Sequence, residues 1–468
     1  MKIYNSLTRQ IEDFIPLKKG KVGMYTCGPT VYSYDHIGHG RKYVYDDLLR
    51  RLLTYQGFQV THVQNITDVG HLISDADSGE DKMEKGAKLL KKTVWEVADF
   101  FIAAHFESMD KLNVLRPDIS CRATENISEQ IALVQRLVDK GFAYATPEAV
   151  YFDVAKFPRY GSLFGQSLDE KLVGARADVI VGQHKKHPAD FVLWVKRVGD
   201  KATHTMHWDS PWGDGFPGWH IECSAMAMKY LGESFDIHTG GEDHLSIHHP
   251  NEIAQSEAAT GKPFAKYWVH YGFVMVEGQK MSKSLGNVFR VEDVVEKGFS
   301  PLALRYFYLT AHYKNPQNFT WSALAAAQGA YDKLVAFVRQ VRAAEASRTS
   351  LSKEKLKKLD DYRNRFWQTL DADLNMPQAL AVLWEMLKSN ISDRDKLELL
   401  LDWDQVLGLD LARVDALQVP DQVMQLTHQR EQLRNEGQFV KADEVRMQIE
   451  KLGFTIADTA HGSTFTKK

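Results

Sequence analysis

The chain has 468 residues, a formal net charge of −3, 44% hydrophobic and 25% charged residues, and three cysteines. That length predicts roughly two to four domains, and the charge excludes an overall basic nucleic-acid binder while leaving room for local basic patches. A small, odd cysteine count excludes a disulfide framework and places the chain in a reducing compartment, the cytosol; no apolar run approaches the ~20 residues that span a bilayer, and Met1-Lys2-Ile3-Tyr4-Asn5 lacks the apolar core of a signal peptide.

In chain order, Val22 to Thr26 reads as a short strand. Arg41 to Tyr55 reads as an amphipathic helix, with Val44, Leu48, Leu49, Leu52 and Leu53 on one face. Between them lies Cys27-Gly28-Pro29-Thr30-Val31-Tyr32-Ser33-Tyr34-Asp35-His36-Ile37-Gly38-His39. A strand, a Gly/Pro turn and a helix start aim backbone N–H groups and the positive end of the helix dipole at an anion such as phosphate. His36 and His39 can point out of one turn at one ligand, and Gly38 between them lets something flat lie on the backbone. Gln59 to Thr67 reads as a second strand, completing a strand–helix–strand unit, the seed of a parallel nucleotide-binding sheet.

Asp68 to Glu84 is polar and acid-rich and reads as a loop. Lys82, Lys85, Lys88, Lys91 and Lys92 read as a solvated helix face or, alternatively, as a nucleic-acid backbone contact. A helix from about Thr93 to Leu112 is expected to turn Val97, Phe100, Phe101, Ala104 and Met109 inward. Beyond Arg122 the texture changes: one helix, about Asn126 to Lys140, precedes short β-like runs at Phe142 to Ala145 and Val150 to Val154. Regular alternation resumes after Trp208, with strands at Phe235 to Gly241 and Trp268 to Val276. Helical periodicity then dominates, with segments near Leu324–Arg348, Glu354–Leu374, Pro377–Lys388 and Asp393–Leu407 suited to an antiparallel bundle.

The fold class expected is α/β: a split Rossmann-like parallel sheet with an insertion, then a helical bundle and a small C-terminal module. The boundaries are 1–121 for the first half of the sheet, 122–205 for the insertion and 206–276 for the second half. A loop region at 277–320, the bundle at 321–413 and the C-terminal module at 421–468 follow.

A second informative stretch is Glu277-Gly278-Gln279-Lys280-Met281-Ser282-Lys283-Ser284-Leu285-Gly286-Asn287. Lys280 and Lys283, flanked by hydroxyls and bounded by glycines, describe a mobile loop able to neutralise a polyphosphate. His248 and Glu252, one helical turn apart, could both reach one ion; Cys27 and Cys223 add thiols, but these spacings are not a zinc-finger pattern and burial as ordinary thiols is the commoner fate of such cysteines.

The pairing of His36-Ile37-Gly38-His39 with Lys280-Met281-Ser282-Lys283-Ser284 resembles the class I aminoacyl-tRNA synthetases. Tyr25-Thr26-Cys27-Gly28-Pro29-Thr30-Val31, Pro217-Gly218-Trp219-His220-Ile221-Glu222-Cys223-Ser224 and His248-His249 through Asn251-Glu252-Ile253-Ala254-Gln255-Ser256 resemble the cysteinyl-tRNA synthetase family within it, as do Asp190-Phe191-Val192-Leu193-Trp194 and Ala311-His312-Tyr313. The resemblance spans nearly the whole chain. It implies one zinc ion per chain on Cys27, Cys223, His248 and Glu252, with Trp219, His238, Gly28, Thr30 and Thr67 at the amino-acid substrate. It implies that ATP meets His36, Gly38, His39 and Lys283, that Mg²⁺ accompanies ATP, and that Lys280 and Lys283 serve the departing pyrophosphate. L-cysteine, ATP and tRNA(Cys) are the partners it implies, with no membrane and a monomeric state. It further implies a tRNA-stem contact region at 277–320 and an anticodon-binding module at 421–468.

Cysteine differs from serine only by sulfur for oxygen, and a zinc ion prefers a thiolate, so one metal contact can discriminate them; no editing domain is expected. Two stretches depart from the commoner family form, Asp68 to Glu84 and Gly241 to Pro250, and they leave His244 and His249 as rival metal ligands. Cys121 reads as an ordinary buried thiol. Phe465, where the family form has Trp, could stack on an unpaired base or pack on the last helix. Two other readings stand beside this one. A cysteine–amino-sugar ligase of mycothiol biosynthesis resembles the same core but needs no tail from Gln422; a non-catalytic tRNA-binding paralogue needs neither the His pair nor the Lys pair.

Overall fold

Within residues 1–70, 82–163, 184–282, 285–344, 352–415, 420–459 and 462–467, which this computed structural model describes, five parallel strands form a central sheet. Their order across it is Ala265–Tyr271, Phe235–Gly241, Lys21–Thr26, Gln59–Ile66 and Ile119–Arg122. Chain order reverses between Lys21–Thr26 and Phe235–Gly241, and at such a switch point the carboxyl ends of the two strands open a crevice. Both faces are covered, which is why these strands are buried almost end to end. On one face the helix Ile37–Tyr55 packs Val44, Leu48 and Leu52 with Met24, Ile237 and Val269. On the other, Ile127–Asp139, Trp219–Leu231 and His248–Thr260 pack Val134, Ile221 and Ile253 with Tyr25 and Val63.

Several local expectations change. The first helix starts at Ile37 rather than Arg41, because His36 Nδ1 accepts hydrogen bonds from the N–H groups of Gly38 (3.1 Å) and His39 (3.3 Å). An imidazole thus satisfies two of the N–H groups that a helix start leaves open. Phe100, expected inside, is 39% exposed: the helix Val94–Lys111 buries Val97, Phe101, His105 and Met109 at four-residue spacing, and Ala104 is half-buried. Residues 71–81 of the expected acidic loop lie outside the described residues, and Lys82–Leu90 is already helical, with Lys85, Lys88, Lys91 and Lys92 exposed.

The insertion is built on a four-stranded antiparallel sheet in the order Ala143–Ala145, Ala149–Phe152, Phe191–Lys196, Gly215–Pro217. Its last strand is Gly215–Pro217, and Ile127–Asp139 packs with the main helical layer. The run from Trp268 to Val276 is two strands, not one. At Gly272 the N–H donates to Tyr313 O (2.8 Å), and Val274–Val276 turns away to pair with Gln317–Phe319 and Gln279–Lys280.

The bundle consists of Trp321–Ala343, Lys353–Asp371, Met376–Lys388 and Asp393–Leu407, close to the periodic segments in the sequence. It is fastened to the sheet domain by the fully buried Arg305, on the helix Pro301–Leu309. Its guanidinium donates to Asp47 Oδ2 (2.6 Å), Leu407 O (2.7 Å), Leu112 O (2.9 Å) and Asn113 O (3.0 Å). Asp47 also accepts from Arg51 Nε (2.7 Å) and Leu115 N (2.9 Å), so one buried carboxylate ties three segments together. The C-terminal module holds the helices Asp421–Asn435 and Phe439–Lys451 and a hairpin, Phe454–Thr459 with Gly462–Lys467. Phe465 stands opposite Ile456 in that hairpin; its side chain lies outside the described residues. Among the described residues, no helix is long and apolar enough to cross a membrane.

Candidate active site and metal centre

Cys27 follows the strand Lys21–Thr26 directly, at the switch point, and its N–H donates to Thr239 O on the neighbouring strand (3.2 Å). Cys223 projects from the helix Trp219–Leu231, and His248 and Glu252 from one face of His248–Thr260. The donor atoms of Cys27, Cys223, His248 and Glu252 all lie within 4.8 Å of one another, and all four residues are buried. Four donors at bond lengths of about 2.0–2.3 Å suit a tetrahedral ion, and two sulfurs with an imidazole and a carboxylate are a donor set that zinc takes.

Glu252 organises this cluster. Its Oε2 lies 2.8 Å from His238 Nε2 and its Oε1 lies 3.0 Å from His248 Nε2. Burial pushes its carboxyl up, but His238 and His248 beside it bring the pKa down to about 2. Burial likewise opposes charge on His248, yet Glu252 and Cys223 carry its pKa up to about 10. Burial raises the Cys27 thiol, and contact with Cys27, then burial, raises Cys223. Both thiols would therefore stay protonated alone; a dication beside them reverses that balance. Behind the donors, His248 Nδ1 meets His220 Nδ1 at 2.9 Å, which leaves Nε2 facing the cluster.

A second set shares two of these donors: Cys27, His238, His249 and Glu252 also fall within 4.8 Å of one another. His249 Nε2 is 3.3 Å from Cys27 Sγ, and its Nδ1 is 2.7 Å from His270 Nε2. His249 thus remains a rival ligand, whereas His244, with its ring 5.0 Å from those of His248 and His249, joins neither set among the described residues. Cys121 is buried with its thiol pushed up to about 12 by burial and belongs to neither set.

The residues expected at the substrate have the following contacts. Trp219 packs its ring 4.6 Å from that of His248. Thr67 Oγ1 donates to Glu222 (3.0 Å) and accepts from Asn65 Nδ2 (3.1 Å); its backbone bridges to Thr30. Gly28 donates its N–H to Asn65 Oδ1 (2.7 Å), and any side chain there would put a Cβ 1.6 Å from Asn65 O. His238 stacks on Trp268 at 4.6 Å between ring centres.

Along the same edge, His36 and His39 stack with ring centres 3.7 Å apart. Because His36 Nδ1 is occupied by the helix cap, Nε2 carries its proton and is a donor. Burial and His39 bring the His36 pKa down to about 3, so this ring is neutral. The second signature loop meets this turn: Met281 Cε lies 2.7 Å from where a Cβ on Gly38 would sit, and Phe289 O accepts from Ile37 N–H (2.8 Å). Asn287 ties the loop by accepting from Ser282 N–H (2.8 Å). Lys280 is exposed at the loop's start, 5.4 Å from the centre of the Phe273 ring; Lys283 lies outside the described residues.

Asp35 and His105 were not singled out from the sequence, nor were His220 and His270. Asp35 Oδ2 lies 2.5 Å from His105 Nδ1, and Oδ1 lies 3.0 Å from His39 Nδ1. Against the push of burial, His105 and then His39 hold the Asp35 carboxyl well below the usual carboxylate range.

Comparison with known proteins agrees with this geometry. The model of the family described as tRNA synthetases class I (C) catalytic domain matches residues 13–329. Cysteine--tRNA ligase 1 of Burkholderia lata is 43% identical over 99% of this chain and 96% of its own. The cysteine--tRNA ligases of Treponema denticola and Thermus thermophilus are 39% and 41% identical, over 100% and 98% of this chain and 99% and 98% of theirs. Among solved structures, Mycobacterium tuberculosis methionyl-tRNA synthetase in complex with methionyl-adenylate shares the fold, at a TM-score of 0.60 and 14% identity over 84% of this chain and 93% of that one. Parallel-sheet architecture, family match and full-length relatives agree, and this chain belongs to the class I tRNA synthetases, in the cysteine--tRNA ligase family.

Proposed function

We propose that this chain activates L-cysteine with ATP and transfers it to tRNA(Cys), acting in the cytosol as a monomer. The observation that carries the reading is the Cys27, Cys223, His248 and Glu252 cluster, set at the sheet's switch point beside the stacked His36 and His39. Zinc bound there would take the substrate sulfur as a thiolate ligand, a contact that a serine hydroxyl, with its far higher pKa, does not supply. Trp219, His238, Gly28, Thr30 and Thr67 line the space around that thiolate.

In the first step a carboxylate oxygen of cysteine attacks the α-phosphorus of ATP. The bond from that phosphorus to the bridging oxygen breaks, and pyrophosphate leaves. No enzyme nucleophile is needed, so catalysis is alignment and charge stabilisation. His36 donates from Nε2 to the phosphate chain and His39 works beside it, with Gly38 leaving room for the nucleotide. Lys280 and Lys283 neutralise the pyrophosphate, and Mg²⁺ accompanies ATP. In the second step a terminal ribose hydroxyl of tRNA attacks the acyl carbon, releasing AMP. Residues 277–320 contact the tRNA stem and 421–468 read the anticodon.

Cysteine-dependent ATP–pyrophosphate exchange, with serine as control, followed by tRNA charging, tests the reading. Exchange and charging with cysteine alone are the expected result. Exchange without charging would favour a small-molecule cysteine ligase, and no exchange would favour a non-catalytic paralogue. A finer prediction concerns Gly38→Ala. Alanine suits a helix better than glycine, but the added methyl would sit 2.7 Å from Met281 Cε and 2.9 Å from the His36 ring. Exchange is expected to fall about ten- to hundredfold with the melting temperature unchanged or slightly raised. Wild-type kinetics in Gly38→Ala would remove the crowded turn from the mechanism.

A further inference from the structure

Asp35 stands immediately before the signature turn, buried, with each carboxylate oxygen on a different imidazole. One oxygen meets His39 Nδ1 at 3.0 Å; the backbone N–H of His36 stands 3.4 Å from that same nitrogen. Nδ1 cannot accept from one and donate to the other. A carboxylate at the shorter distance makes the stronger, charge-assisted bond, so Nδ1 carries a proton and gives it to Asp35. The other oxygen is held at 2.5 Å by His105, which is 2% exposed and wedged against the rings of Tyr43 and Phe106. The helix Val94–Lys111 that carries His105 also reaches the far side of the second loop, where Ser108 and Lys111 donate to Glu292 (3.3 and 3.1 Å). One strut thus braces the His turn and the segment after the Lys loop.

The two rings of the turn are held differently. His36 has its Nδ1 taken by backbone donors and is neutral, whereas His39 has its Nδ1 on a carboxylate. With a carboxylate on Nδ1, the His39 ring is fixed in orientation and its Nε2 edge is turned away from Asp35.

We propose that Asp35 is a positioning residue for adenylate formation: it grips the His39 ring by Nδ1 so that Nε2 meets the triphosphate, and His105 locks Asp35 in that role. The proposal rests on the reading that the turn binds ATP phosphates. It is tested with Asp35→Asn, Asp35→Ala and His105→Phe in the full-length protein, the last keeping an aromatic ring in the buried slot. Asp35→Asn is expected to lower kcat of cysteine-dependent pyrophosphate exchange about ten- to hundredfold, with KM for cysteine changed less than about twofold; His105→Phe follows in the same direction with a smaller loss. ¹⁵N-histidine spectra, with His39 assigned from His39→Gln, are expected to show a protonated Nδ1 that is lost in Asp35→Ala. A merely structural carboxylate would lower the melting temperature and leave those signals in place.

Exchange within about twofold of wild type in both Asp35 variants would overturn the proposal. So would an unchanged His39 signal in Asp35→Ala or, should that variant fail to fold, in His105→Phe. A wild-type chain that shows no exchange would sink the proposed function instead, and the imidazole signals alone would then decide whether Asp35 fixes His39.

Discussion

A Cys223→Ser variant is expected to lose bound zinc and cysteine-dependent exchange together, the latter by at least about a hundredfold. A serine hydroxyl does not ionise in a buried site, and it offers a hard oxygen where the proposed zinc would be held by sulfur. The variant also separates the two overlapping donor sets. Cys223 and His248 belong to one, His238 and His249 to the other, and both use Cys27 and Glu252, so a single ion cannot satisfy them at once. Metal content by mass spectrometry on Cys223→Ser, beside His249→Ala, reads the outcome directly. Loss in Cys223→Ser with retention in His249→Ala assigns the ion to the two-sulfur set. The reverse pattern assigns it to the histidine-rich set, and normal activity in a zinc-free Cys223→Ser preparation would remove the metal from cysteine selection.

Asp47→Ala is expected to be among the most destabilising single changes, at roughly 3–5 kcal/mol, because it strands the Arg305 charge in a dry site. Arg305 is fully buried and spans the helix Ile37–Tyr55, the turn at Leu112 and Asn113, and the end of Asp393–Leu407. The Asp47 carboxyl, though pushed up by burial, is held below its ordinary value by Arg305 and Arg51. A carboxyl lowered in the folded state stabilises fully above its unfolded pKa of about 3.9, and that stabilisation fades as pH falls through the folded value. Denaturant unfolding followed by circular dichroism checks both points. The double variant Asp47→Leu with Arg305→Met should recover part of the loss, since removing both charges leaves none unpaired. A single Asp47→Ala within about 1 kcal/mol of wild type would show that the buried pair does not fasten the bundle.

What could be read beforehand was what is local in the chain. His36, Gly38 and His39 lie on one helical turn, and the bundle segments repeat with helical period over many residues, so both were visible without tertiary information. Ile119–Arg122 has too few residues to display an alternation, although it is hydrogen-bonded into the central sheet beside Gln59–Ile66. Phe100 and Phe101 have the same chemistry, and only the stripe set by Val97, His105 and Met109 decides which one faces in. The second layer behind the site was hidden for a different reason. His220, His270 and His105 act through partners far away in sequence, and an isolated histidine carries no signal of the group it will meet. The choice between His248 and His249 was open for a physical cause as well: both Nε2 atoms approach Glu252 Oε1, at 3.0 and 3.9 Å.

The reversal in strand order has a consequence for biosynthesis. A ribosome that has released Cys27 must extend the polypeptide through the insertion and on to Glu252 before all four donors coexist. The pairing of Lys21–Thr26 with Phe235–Gly241 closes a very long chain loop, an intrinsically slow event. Chains arrested or cleaved before Trp219 retain the His36–His39 turn but have no thiol partner for Cys27 from that helix. Metal uptake at this cluster is therefore expected only late in synthesis, and prematurely terminated fragments should be found ion-free.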